Sequence, residues 1–315
     1  MLINGQWSTD RFRVQTTDES GGFVRQVSGF RSWVTPDGAP GPSGEGGFAA
    51  EPGRYRLIVA LTCPWASRTL IARKLKDLEH VIALSIVEPA MTDQGWRFGD
   101  AADRAALDVT WLHELYSRAR PDYTGRATVP VLWDEARRTI VNNESADLLR
   151  MLNFGFGALA AGAIDLYPPE LQAAIDALND PIYHRLNNGV YRAGFAATQQ
   201  AYESAVIEVF AMLDELETRL ADGRTFLFGE RLTESDIRLF VTLVRFDAAY
   251  HGLFKCNLRR LIDYQHLSAY LARMLAVPGV RETVSIDHIK RGYYAIKPLN
   301  PNGIVPLGPL LPGLD

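Results

Sequence analysis

The stretch RYRLIVALTCPWASRTLIARKLK, residues 54–76, decides how this chain is read. Tyr55, Leu57, Val59 and Leu61 alternate with Arg56, Ile58 and Ala60, the pattern of a largely buried strand. Thr62-Cys63-Pro64-Trp65 comes next, and then ASRTLIARKLK, a run of good helix formers. A proline at the first helical position gives up no intrahelical hydrogen bond, so the helix is expected to start at Pro64 with Cys63 as its cap. A cysteine therefore stands where a strand turns into a helix.

Working outward, His80–Val87 (HVIALSIV) reads as a second strand. Thr128–Trp133 (TVPVLW) and Thr139–Asn142 read as two more, joined through the polar DEARR as a hairpin. Glu144-Ser145 then opens the short helix SADLLRML. Strand, helix, strand, a long helical insertion, two strands and a helix make an α/β layer on a mixed sheet. Further on, Val206, Val209, Phe210, Leu213, Leu216 and Leu220 share one helical face. Leu258, Leu261, Ile262, Tyr264, Leu267, Leu271 and Leu275 are read as another. Between them Thr233 caps a helix, with Asp236 reaching back to it and Leu232 stapling to Ile237.

Residues 1–53 are polar and glycine-rich, with GAPGPSGEGG at 38–47 as the clearest loop. Such a stretch is expected to be an arm or cover with no core of its own. The last thirty residues, with KPLNPNGIVPLGPLLPG, hold too many prolines and glycines for a regular element. The expected organisation is an arm over 1–53, an α/β domain over 54–153, an all-helical domain over 165–284 and a C-terminal extension over 285–315.

Composition sets limits. At 315 residues the chain suits two domains of ordinary size. With 47% hydrophobic and 22% charged residues it is neither disordered nor fibrous in character. A net charge of -4 gives no electrostatic reason to expect nucleic acid or an anionic membrane as partner. Two cysteines, Cys63 and Cys256, make neither a disulfide framework nor a cysteine-rich zinc site. The opening MLINGQWSTDRF lacks the basic and apolar regions of a signal peptide. No apolar run reaches the ~20 residues that span a bilayer. The expectation is a cytoplasmic protein with reduced thiols. The six histidines show no metal spacing such as HExxH, and no metal is expected. No glycine-rich phosphate loop occupies a strand-to-helix junction, so no nucleotide cofactor is expected either.

The chemistry centres on Cys63. A lone cysteine is ordinarily a small buried hydrophobe. At a helix N-terminus, however, unpaired backbone N–H groups and the positive end of the dipole favour thiolate over thiol, placing its pKa below ~8.5. Ala66 stands where a dithiol redox protein would carry its second cysteine, so a mixed disulfide on Cys63 must be cleared by a thiol from solution. Cys256, in FKCNLRR, lacks that context and reads as structural. Val129-Pro130-Val131 places a proline in a strand, which marks an edge or a special geometry. In thioredoxin-like layers a cis proline here leaves N–H and C=O groups that pair with a cysteinyl backbone as an added strand. Glu144 and Ser145, at a helix start, suit a ligand's α-amino or α-carboxylate group.

These blocks, together with Trp96-Arg97-Phe98, Asn142-Asn143-Glu144-Ser145 and Thr233-Glu234-Ser235-Asp236, resemble the cysteine-type glutathione transferases. The run Asn187-Asn188-Gly189-Val190-Tyr191-Arg192-Ala193-Gly194-Phe195 narrows the likeness to the glutathionyl-hydroquinone reductases, the Xi class. So do Arg245-Phe246-Asp247-Ala248-Ala249-Tyr250, Phe254-Lys255-Cys256 and Asp287-His288-Ile289-Lys290 through Asn300-Pro301. The resemblance spans nearly the whole chain. It implies a thioredoxin-like domain followed by an all-helical domain, with glutathione as co-substrate and a homodimer as the assembly. It implies glutathione-dependent reduction of glutathionyl-hydroquinones to hydroquinones, with glutathione disulfide as the other product.

Carried over by motif, Cys63 is the nucleophile that becomes S-glutathionylated. Tyr191 protonates the departing ring carbon, and Tyr250 and Tyr293 hydrogen-bond the substrate hydroxyl or tune the thiolate. Trp96 and Arg97 cover and contact glutathione, Val129, Pro130 and Val131 receive its backbone, and Glu144 and Ser145 hold its γ-glutamyl end. Phenols suit the task, because cleaving an aryl carbon from sulfur leaves negative charge on ring carbon and oxygen. The chain departs from the family pattern at Ser67, where a histidine is usual. Gly292-Tyr293-Tyr294 and Ala295-Ile296 likewise replace His-Tyr-Tyr and Ser-His elements, which leaves Tyr293 and Tyr294 as alternatives for one position. Other readings of the fold are a dehydroascorbate reductase, a thioltransferase, a reductive dehalogenase or a non-catalytic transferase-like binding protein.

Overall fold

The computed structural model describes residues 1–9, 16–43 and 47–310. Residues 44–46 of the expected glycine-rich loop, residues 10–12 of the opening segment and residues 311–313 of the proline-rich tail lie outside them. The chain divides into two units, Met1–Val14 with Gln26–Ile164, and Gln15–Arg25 with Asp165–Asp315. Elements are numbered in chain order.

The first unit is built on a four-stranded mixed sheet in the order β10-β9-β7-β8. Strand β7 (Tyr55–Val59) lies inside it, parallel to β8 (Ile82–Ile86) and antiparallel to β9 (Val131–Asp134), with Leu57 opposite both Leu84 and Leu132. Tyr55, Leu57, Ile58 and Val59 have no exposed surface, which explains why this strand reads as a nearly continuous apolar run. Strand β10 (Thr139–Asn142) closes one edge against β9. All four strands are shorter than or equal to their sequence expectations; β9 begins only after Pro130, which has no N–H to offer a ladder.

Helix α1 (Pro64–Leu75) follows β7, and its start at Pro64 with Cys63 as N-cap is as the spacing predicts. The insertion between β8 and β9 holds two short helices, α2 (Ala101–Leu107) and α3 (Leu112–Ala119). Helix α4 (Ser145–Arg150) follows β10 and runs on into a π-helical turn, Met151–Gly155.

The N-terminal arm contributes short ladders: β1 (Leu2–Ile3) with β2 (Gln6–Trp7), and β5 (Trp33–Thr35) with β6 (Gly47–Ala49). It makes no separate core, but Leu2, Phe30, Trp33, Val34 and Phe48 are all buried within the first unit. Leu2 exchanges both backbone hydrogen bonds with Gly125, at 2.8 and 3.0 Å.

The second unit holds the small ladder of β3 (Thr16–Thr17) with β4 (Phe23–Val24) and six α-helices among the described residues. These are α5 (Gln172–Pro181), α6 (Gly189–Gly194), α7 (Gln199–Leu220), α8 (Glu234–Arg245), α9 (Gln265–Ala276) and α10 (Ile286–Tyr294). The expected face of α7, from Val206 to Leu220, is buried along its length. Helix α8 is buried on every side. Its start is fastened as the sequence predicts: Thr233 donates from both its N–H and its hydroxyl to one oxygen of Asp236, at 2.8 and 2.9 Å.

Two expectations need correction. Leu258 and Ile262 are exposed, because the chain around them is loop and a single 3-10 turn; the helix begins at Gln265 and buries Leu267, Tyr270 and Met274. The last thirty residues do contain a regular element, α10, because their first nine precede the prolines and open with Ser285 as a side-chain cap on His288 N–H. From Lys297 to Leu310 no helix or strand forms.

Among the described residues no helix is long and apolar enough to cross a membrane. Nor does any group of three or more His, Cys, Asp or Glu among them come together to hold a metal ion.

Candidate active site

In the first unit the chain leaves β7, turns at Leu61-Thr62, and presents Cys63 in extended backbone conformation (φ -82°, ψ 119°) as the cap of a twelve-residue helix. Its carbonyl accepts from Ser67 N–H at 3.0 Å, so the sulfur lies at the end of α1 where N–H groups lack intrahelical partners. Cys63 is half-buried, and its Sγ lies 3.6 Å from the carbonyl oxygen of Val129. The Val129-Pro130 peptide is cis. Val129, Pro130 and Val131 are buried and lead directly into β9. The structure thus brings Cys63 and the Val-Pro-Val segment, 66 residues apart in sequence, to one end of the sheet.

The turn before α4 is held from several sides. Glu144 caps the helix, one carboxylate oxygen accepting from Ala146 N–H at 3.1 Å. Its own N–H donates to the Asn142 side-chain oxygen at 2.7 Å. The Asn142 amide donates in turn to Ser32 O and Asp147. Asn143 donates to the hydroxyl of buried Tyr116 at 3.0 Å, and that hydroxyl donates to Thr128 O at 2.8 Å, just before the Val-Pro-Val segment. The Ser145 hydroxyl is buried and lies 3.5 Å from the Arg68 guanidinium, itself packed under the Trp65 ring at 4.6 Å.

Trp96 and Arg97 occupy the loop between β8 and α2, both half-buried. The Trp96 carbonyl accepts from Leu112 N–H at 2.9 Å, which ties the loop to α3. Arg97 is engaged with Glu88 at 2.9 Å, a partner that sequence spacing did not reveal.

In the second unit three tyrosines join through their hydroxyls. Tyr293 lies 2.6 Å from Tyr191 and 2.9 Å from Tyr250, oxygen to oxygen. Tyr294 stands outside this row of hydroxyls and is half-buried beside Gly252. The reason is helical phase: α10 turns Ile286, Ile289, Lys290 and Tyr293 inward. Phe254 lies against all three rings at 5.4–5.5 Å, and Gly194 makes room for it. A Cβ at Gly194 would fall 2.3 Å from the Phe254 ring. The Arg25 guanidinium lies over the Tyr191 ring at 4.8 Å and donates to the Asn188 side chain at 2.9 Å.

Burial, and then the neighbouring phenol of Tyr191, hold Tyr250 and Tyr293 well above the ordinary tyrosine pKa. Each link takes one hydroxyl hydrogen, so Tyr293, with one to give, can be the donor in only one of the two.

The sequence missed Ser28, Tyr116 and Arg25. Tyr116 lies in the helical insertion without a motif, and Ser28 and Arg25 belong to an arm whose partners are more than eighty residues away. No periodicity or short spacing signals such pairs.

The chain matches the sequence model described as Glutathione S-transferase, N-terminal domain, over residues 62–153, and that described as Glutathione S-transferase, C-terminal domain, over residues 199–273. It is 50% identical to the glutathionyl-hydroquinone reductase YqjG of Escherichia coli over 313 residues, covering 98% of this chain and 94% of that protein. The glutathione-bound structure of YqjG superposes with a TM-score of 0.89 at 47% identity, over 99% of this chain and 96% of that one. The glutathionyl-hydroquinone reductase PcpF of Sphingobium chlorophenolicum is 45% identical, over all of this chain and 98% of its own length. The glutathione S-transferase Xi of Phanerochaete chrysosporium superposes with a TM-score of 0.85 at 44% identity, over 94% of this chain and 95% of that one.

Proposed function

The chain belongs to the glutathione S-transferase family, within its Xi class of glutathionyl-hydroquinone reductases, and from that premise we propose that it reduces glutathionyl-hydroquinones to hydroquinones through an S-glutathionylated Cys63. Its fold is the thioredoxin-like sheet domain followed by the helical transferase domain. The co-substrate is glutathione, held along the Val-Pro-Val segment and the Glu144-Ser145 turn, with Trp96 and Arg97 from the loop before α2. The assembly is a homodimer in the cytoplasm.

In the first half-reaction the Cys63 thiolate attacks the sulfur of the conjugate. A sulfur–sulfur bond forms, the aryl carbon–sulfur bond breaks, and its electron pair stays on the ring carbon. Tyr191 supplies the proton that carbon needs, and Tyr250 and Tyr293 support the hydroxyl chain behind it. In the second, the thiolate of a free glutathione attacks the glutathionyl sulfur, and Cys63 departs as thiolate while glutathione disulfide forms. The proton released by that glutathione restores the phenol. One conjugate and one glutathione thus give one hydroquinone and one disulfide.

The observation that supports this most is the half-buried Cys63 at the start of α1, with its sulfur 3.6 Å from the carbonyl before the cis proline. Neutral phenols at Tyr250 and Tyr293 suit hydrogen-bond donation, since burial keeps them protonated at any physiological pH. Mixing the enzyme with one equivalent of a glutathionyl-hydroquinone and no free glutathione, then quenching in acid, tests the reading. Mass spectrometry is expected to find one glutathione on Cys63 and one equivalent of hydroquinone released. Hydroquinone release without an adduct would discard the covalent route.

A further inference from the structure

The N-terminal arm touches both segments that the proposed function assigns to glutathione. At one, the Ser28 hydroxyl donates to the Glu144 carboxylate at 2.9 Å, on the oxygen not used to cap α4. The same stretch of arm exchanges bonds with the turn itself: Asn143 N–H donates to Phe30 O at 3.1 Å, and Phe30 N–H to the Asn143 side chain at 3.1 Å. At the other, Trp7 donates its indole N–H to Asp93 O at 3.0 Å and stacks on His113 with ring centres 4.4 Å apart. Its ring edge meets Gly95, where a Cβ would lie 3.1 Å away and the backbone is in the left-handed region (φ 77°). Gly95 immediately precedes Trp96.

A carboxylate with one oxygen fixed by a helix N–H and the other by a hydroxyl has a single rotamer and still presents lone pairs to an ammonium group. A loop whose tip rests on a stacked indole keeps its side chains in register with the ligand, so less ordering is paid for on binding. We propose that the arm is a working part of the glutathione site: Ser28 is a positioning residue for Glu144, and Trp7 is a positioning residue for the loop bearing Trp96 and Arg97. The inference rests on the reading of those segments as the glutathione site.

The test is calorimetric titration of the full chain with S-methylglutathione, which cannot form a disulfide, alongside steady-state kinetics. Ser28→Ala and Trp7→Ala are each expected to weaken binding by about fivefold, the scale of one lost hydrogen bond. They are also expected to raise KM for glutathione while kcat stays within about twofold, the pattern of lost uniform binding. Ser28→Thr, which restores the hydroxyl, is expected to recover most of the loss, and Trp7→Phe, which keeps the ring stack but not the bond to Asp93 O, part of it, which a general folding defect would not allow. Unchanged affinity in both alanine variants, with weakened binding in Glu144→Gln, would overturn the role of the arm and leave the site standing. Unchanged affinity in Glu144→Gln as well would overturn the site assignment itself.

Discussion

Cys63 caps α1, keeps part of its surface open and meets a backbone carbonyl, whereas Cys256 follows the Tyr250 turn with no exposed surface at all. The Cys256 sulfur lies 4.0 Å from Phe254 O, and burial pushes its thiol up to about 12. The difference teaches that place in the fold, more than residue type, sets the environment of each thiol. One thiol stands at the positive end of a helix and the other is enclosed by apolar packing, where its thiolate would be costly.

The largest effect should come from removing the sulfur proposed as the nucleophile. Cys63→Ala is expected to lower turnover of a glutathionyl-hydroquinone by at least ~10³-fold, and Cys256→Ala by less than about threefold. Comparable losses in initial-rate assays would end the contrast. Alkylation by iodoacetamide at pH 8, followed by peptide mass spectrometry, sharpens it. Burial holds the Cys256 thiol protonated well above that pH and closes it to the reagent, so Cys63 is expected to react at least ~100-fold faster in the folded protein. In denaturant the two rates should converge.

Smaller effects probe the aromatic ground behind Cys256. Gly194→Ala drives a methyl group into the Phe254 ring and is expected to cost about 1–3 kcal/mol in urea unfolding. Tyr293→Phe removes both hydroxyl links and is expected to cost about 1–2 kcal/mol.

That variant also carries a pH signature. Tyr250 and Tyr293 have folded-state pKa values raised above those of the unfolded chain. Their contribution to stability is therefore fully present below about pH 10, where an ordinary tyrosine ionises, and is lost as pH rises toward the folded values. Tyr293→Phe should flatten this alkaline decline in melting temperature.

The two cysteine settings also differ in how legible they were. The surroundings of Cys63 are written locally: an alternating strand, a proline at the first helical position and a helix-forming run lie within 23 consecutive residues. The α8 cap is as local, with both partners within four residues. The tyrosine trio is not, since its members lie on three segments between residues 191 and 293, and only the resemblance drew them together in the sequence. The exposed Leu258 and Ile262 misled because leucines at helical spacing look alike whether the backbone is a helix or a turn. Helix α10 is hard to see in the sequence because its nine residues run straight into a segment rich in proline and glycine. The arm is the hardest case: its buried Leu2, Trp33 and Phe48 sit in apolar runs of only two or three residues, too short to show a period, with partners such as Phe154 against Trp33 far away in sequence.

The hydroxyl chain of Tyr191, Tyr293 and Tyr250 has one consequence of its own. Tyr293 has a single hydrogen to give, so it points toward one neighbour at a time, and the outer hydroxyls must answer to that choice. For Tyr191 to give its own hydrogen to a bound group, Tyr293 must donate to Tyr191 and Tyr250 must donate to Tyr293, so a demand at one end of the row sets the direction of both links.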